Sequence, residues 1–170
     1  MCIMITTIQN SKTMGGNGSY SEGFGGVEIK DRTHYDTEYR ISGHKVVVLQ
    51  DNPSHDKIIM NSNSENPIYL FASADKDTGK LTVSCIGIYK KHKLTESIDL
   101  KLDSDGNVLS FDKTEDGSHA HKWTEVAPGK IGRERHDKNN HLPIKKKYQS
   151  LIDKIAEFNK KGKIWEKAKV

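Results

Sequence analysis

"KLTVSCIGIYKKHKLTESIDLKLDSDGN", residues 80–107, decides the fold class of this chain. Ile98, Leu100 and Leu102 alternate with polar residues, which predicts a strand with one wet and one dry face, because successive strand side chains point to opposite sides. The run before it is mixed, with Leu81, Val83 and Cys85 on one side and Ile86 and Ile88 on the other. That pattern predicts a central strand covered on both faces. The stretch ends in Asp-Gly-Asn and is preceded by "DKDTGK" at 75–80; Gly and Asn tolerate the positive φ of tight reversals.

Outward from this centre the same signals recur. Short runs rich in Val, Ile, Tyr and Thr, broken by Asp, Asn, Gly and Ser, predict strands in "GVEIK" (26–30), "EYRISGHKVVVLQ" (38–50), "KIIMNS" (57–62), "PIYLFASAD" (67–75), "NVLSFD" (107–112) and "HKWTEV" (121–126). Connections this short favour antiparallel pairing, so residues 27–126 read as a β meander of about seven or eight strands. Residues 1–26, with "GGNGSYSEGFGG" at 15–26, read as a flexible or turn-rich approach. They are not a phosphate loop, since a strand rather than a helix is expected next. Residues 127–142 lack any hydrophobic period and read as a basic, His-rich loop.

A helix is predicted over 143–161. Pro143 suits a first turn, and Ile144, Tyr148, Leu151, Ile152, Ile155 and Phe158 fall on one face. Gly162 offers a stop, and Lys160, Lys161 and Lys163 suit the negative end of the helix dipole. The expected fold is therefore α+β in a single domain, an antiparallel meander with one C-terminal amphipathic helix packed on the sheet.

The 170 residues are enough for one domain with a real core. A composition of 34% hydrophobic and 29% charged residues makes that core lean. The longest aliphatic run, Val46 to Leu49, is far too short to cross a bilayer. "MCIMITTIQNSK" lacks the pattern of a secretory leader, so the expected setting is cytoplasmic and Cys2 and Cys85 are expected as reduced thiols. Cys85 reads as a small core residue rather than a nucleophile. Charge is uneven. From Pro128 onward there are 13 Lys and Arg against 5 Asp and Glu, a local +8 within a total of +4. Such an excess attracts phosphate backbones or acidic surfaces, or simply forms a solvated lysine-rich helix face.

"GSHAHKWTEV", residues 117–126, is the candidate site. On a strand His119, His121 and Trp123 project together, about 7 Å apart from neighbour to neighbour. Lys130, Arg133, Arg135, His136 and His141 follow. Three readings compete. In the first, which needs no cofactor, His119, His121 and His136 perform acid/base catalysis on a phosphodiester. Arg133, Arg135 and Lys130 hold the phosphate, and Trp123 stacks a base. In the second, the histidine pair and a further histidine bind Zn²⁺. In the third, the rings form a polar strand edge under the helix and do no chemistry. His44 could bring a second proton-transfer group across the sheet; His34, His55 and His92 are expected at the surface, and Asp103 and Asp105 in a turn.

The ending "HAHKWTEVAPGKIGRERHDKNNHLP" before an amphipathic helix resembles small phage-borne and polymorphic-toxin-like proteins. The resemblance rests on His119, His121, Trp123, Gly132, Arg133 and His136 and covers about the last third of the chain. It implies a mobile-element setting more than an activity: the toxins concerned, small metal-independent ribonucleases similar to the barnase and colicin types, usually place helices before a compact sheet, whereas here a long β meander precedes one helix. The implied partner is nucleic acid, RNA foremost. The alternative is a non-enzymatic inhibitor that engages an acidic or nucleic-acid-binding protein, with no membrane involved.

Overall fold

The computed structural model describes residues 34–49, 67–112, 117–128, 130–133 and 142–166. They form an α+β fold. Strands β1 (His34–Ile41), β2 (His44–Leu49), β3 (Ile68–Ala74), β4 (Leu81–Lys90), β5 (Lys93–Asp99), β6 (His119–Ala127) and β7 (Lys130–Arg133) lie side by side in chain order in one seven-stranded sheet. Helix α1 (Gln149–Lys161) packs on one face of it. The strands expected at "GVEIK" and "KIIMNS" and the Gly-rich segment lie outside the described residues.

Four expectations are corrected. The segment 38–50 is a hairpin rather than one strand, because Ser42 and Gly43 both take positive φ (53° and 82°) and form a two-residue turn between Ile41 and His44. The meander is not wholly antiparallel: β2 and β3 run parallel, joined by residues 50–67, long enough for the crossover that parallel pairing requires. "NVLSFD" makes only an isolated bridge, Leu102 to Val108, beyond a tight turn. There Asp103 accepts the N–H groups of Asp105 and Asn107, and the bonds from Asn107 hold its carboxyl below the ordinary range. The basic loop contains β7, whose single apolar residue, Ile131, docks in the same layer as Trp123.

Strand β4 is central and covered on both sides, but its faces differ from simple alternation. Phe71 is opposite Cys85 and Ala72 is opposite Val83, so Ser84 is an extra residue, a β-bulge that shifts the alternation by one. Leu81, Val83, Ile86 and Ile88 consequently share the helix face with Val46, Leu70, Ile98 and Ala120. Cys85 turns to the other face with Val47, Tyr69, Phe71, Tyr89, Leu94, Trp123 and Ile131. Gly87 also points there, and a Cβ would stand 2.7 Å from the Phe71 ring, so the aromatic layer can close only over a glycine.

Helix α1 starts later than expected. The backbone of Leu142 is bonded to Ala120, and Lys145 is still extended (φ −67°, ψ 140°), so the chain must leave the sheet before it can coil. A short 3₁₀ turn, Lys146–Tyr148, precedes α1. Tyr148, Leu151, Ile152, Ile155 and Phe158 are buried as the periodicity requires, and Gly162 ends the helix in the left-handed conformation (φ 65°). A polar clamp locks α1 to the sheet. Pairing of β4 with β5 ends at Cys85 and Asp99, and just beyond it the Asn159 amide takes over the ladder: it accepts from Val83 N–H at 2.8 Å and donates to Val83 C=O at 3.0 Å. Replacing Asn159 with Ala leaves both buried backbone groups without these bonds. Denaturant unfolding should show a loss of about 1–3 kcal/mol, and an unchanged midpoint would refute the clamp.

Candidate functional site

Strand β6 aligns His119, His121 and Trp123 on one face, as the alternation predicts, with Ala120 on the other. That face is the one away from α1, so the histidines are not a strand edge under the helix. They are also deeply buried, with 5% exposure at His119 and 1% at His121. Antiparallel pairing sets His119 opposite Asp99 and His121 opposite Ser97. The row of β5 that alternation makes wet is therefore enclosed. Ser97 is fully buried and the Asp99 side chain is 13% exposed, which corrects the expectation of a solvated face.

Asp99 is the centre of the site. Its Oδ2 lies 2.9 Å from His121 Nε2 and 3.9 Å from His119 Nε2, and the two imidazoles meet edge to face with centroids 4.8 Å apart. His119 Nδ1 is 2.8 Å from the Gly117 carbonyl. In the neutral ring a proton donated there leaves the lone pair on Nε2, directed at the cluster. Gly117 itself passes so close to the Ser110 carbonyl that no Cβ would fit. One donor atom each from Asp99, His119 and His121 lie within 4.8 Å of one another.

Cys85 stands on the other side of the carboxylate, Sγ 3.8 Å from Asp99 Oδ1. Burial first, and the Asp99 charge second, push its thiol well above the ordinary range, so it is a neutral group. Neither Asp99 nor Cys85 was marked as a site residue by the sequence. A carboxylate two strand positions from Ser97, in the row that alternates with Ile98 and Leu100, is the signal that could have raised Asp99; its pairing with His119 needed the register.

Other expected site residues are placed differently. Trp123 is 2% exposed, and its indole N–H donates to Ser97 Oγ at 2.9 Å. It belongs to the core, and with both faces enclosed it has none to offer a base. Arg133 and Lys130 lie on β7, paired with Trp123 and Ala127. Arg135, His136 and His141 lie outside the described residues, as does His55. His44 sits at the β1–β2 turn, four strands from β6, about 19 Å away at the usual strand spacing, so it does not join the cluster. His92 is exposed in the β4–β5 turn. No protein family, curated protein or solved structure matches this chain, so the site is interpreted from its own geometry.

The chain has two tryptophans, and both are enclosed, Trp165 at 7% exposure and Trp123 at 2%. Tryptophan emission should accordingly be blue-shifted and resist iodide quenching, and addition of single-stranded RNA should leave it unchanged. Strong quenching by either would restore a stacking role.

Proposed function

We propose that this protein binds one divalent transition-metal ion, zinc by the chemistry of its donors, through Asp99, His119 and His121. The observation that carries this reading is the convergence of two imidazoles and one carboxylate within 4.8 Å in a buried corner of the sheet. Imidazole nitrogen and carboxylate oxygen suit zinc, which holds them at about 2.0–2.2 Å in tetrahedral geometry. Ligands sharing one such ion stand on the order of 3.3 Å apart, and the 2.9 and 3.9 Å separations from Asp99 Oδ2 bracket that value. The ion would take the place of the proton that lies between His121 and Asp99. The Gly117 carbonyl then does for His119 what outer partners do for metal-bound histidines generally, holding the ring and its tautomer. Three protein ligands leave a fourth position for water or substrate, where zinc polarises what it binds.

The 2.9 Å contact between His121 and Asp99 favours a second reading, metal-free proton transfer. Here Asp99 orients His121 as a general base towards a phosphodiester, with His119 beside it. The +8 excess beyond Pro128 would draw the nucleic acid, RNA foremost, or an acidic or nucleic-acid-binding protein. A cytoplasmic, mobile-element setting accords with this reading and with a free thiol at Cys85. No helix among the described residues is long and apolar enough to cross a membrane.

Calorimetric titration of tag-free, chelator-stripped protein with Zn²⁺ separates the two. The metal reading expects one ion per chain, and loss of binding in both His121→Ala and Asp99→Asn. A flat titration, together with RNA cleavage that persists in EDTA and disappears in His121→Ala, would replace it with the second.

A further inference from the structure

We propose that Cys85 is a positioning residue of this metal centre, its thiol holding the Asp99 carboxylate so that the opposite oxygen is presented to His119 and His121; the inference rests on the metal reading above. The sheet register carries it. Cys85, Asp99 and His119 are directly opposite one another across β4, β5 and β6, so three polar or polarisable side chains form one row on the same buried face. The row exists only because of the Ser84 bulge, without which Cys85 would point to the helix side with Val83.

The two carboxylate oxygens have different neighbours. Oδ2 meets the imidazoles at 2.9 and 3.9 Å, whereas Oδ1 meets Sγ at 3.8 Å, within reach of sulfur's longer hydrogen bond. The thiol has a second acceptor to choose, the Ile86 carbonyl at 3.9 Å. A charged oxygen is the stronger acceptor, so the proton goes to Asp99. Contacts at both ends resist rotation of the carboxylate about its last torsion, and Asp99 then offers the metal one oxygen in a set direction. Partners that orient a ligand in this way typically affect metal affinity by about 10–100-fold when removed.

The test compares wild type, Cys85→Ala and Cys85→Ser, all tag-free, using Co²⁺ as an optical probe and Zn²⁺ in competition. The Ser variant keeps a donor and should bind nearly as tightly as wild type, while the Ala variant should bind about tenfold or more weakly. Thermal midpoints of the metal-free Ala and Ser variants should agree, so the affinity difference cannot come from loss of fold. Wild-type protein should show ligand-field bands of Co²⁺ without a sulfur-to-cobalt charge-transfer band in the near ultraviolet. Equal Co²⁺ affinity in wild type and Cys85→Ala would overturn the positioning role and leave the metal centre standing. A charge-transfer band that vanishes in Cys85→Ser would overturn it differently, by making Cys85 a ligand. If wild type takes up neither ion, the metal reading fails and this inference falls with it.

Discussion

One extra residue in the central strand, Ser84, sets what each face of the described sheet receives from β4. A bulge at that point lets a single strand serve two different layers: Val83 and Ile86 both face the helix, while Cys85 between them faces away. On the helix side the consequence is Val83, aligned with Asn159 so that a side-chain amide continues the hydrogen-bond ladder where β5 leaves it. On the other side the consequence is Cys85, set against Asp99 and in line with the histidines. Packing of the helix and geometry of the candidate site are thus two outcomes of one local irregularity, as bulges near functional sites often are.

The face away from the helix is divided. Tyr69, Phe71 and Tyr89 pack over Gly87 as an aromatic, water-excluding layer, with Trp123 and Ile131 in the same cluster. Beside it Ser97, Asp99, His119 and His121 form a polar corner that is just as well buried. Placing a carboxylate and two imidazoles in such surroundings is costly unless they satisfy one another or an ion. A purely structural role would be met more cheaply by apolar residues of similar volume. The contacts of Asp99 with His121 and His119 offset part of that cost.

The positive charge of the C-terminal segment bears on the metal-free reading. Lys154, Lys160 and Lys161 are exposed on α1, which covers the opposite face of the sheet from the histidines. Their field therefore acts from across the sheet, and among the described residues the basic segment comes alongside β6 through β7 and at Leu142, which bridges to Ala120.

Alternation and helical period act between residues near in sequence, and for that reason the sequence by itself determined the α+β class, the strands β3 to β6, the buried face of α1 with its stop at Gly162, and the common face of His119, His121 and Trp123. Register, crossover and bulge arise from pairing between distant segments, where burial on both faces is weighed at once. Only the tertiary structure could therefore make β2 and β3 parallel, draw Ile131 into a seventh strand, turn Cys85 away from Val83, enclose Trp123, and bring Asp99 from β5 to the histidines of β6. Ser97 and Asp99 of β5 show the difference most plainly: alternation marks their row as wet because it sees one strand, and they are enclosed because the register sets the buried His121 and His119 opposite them.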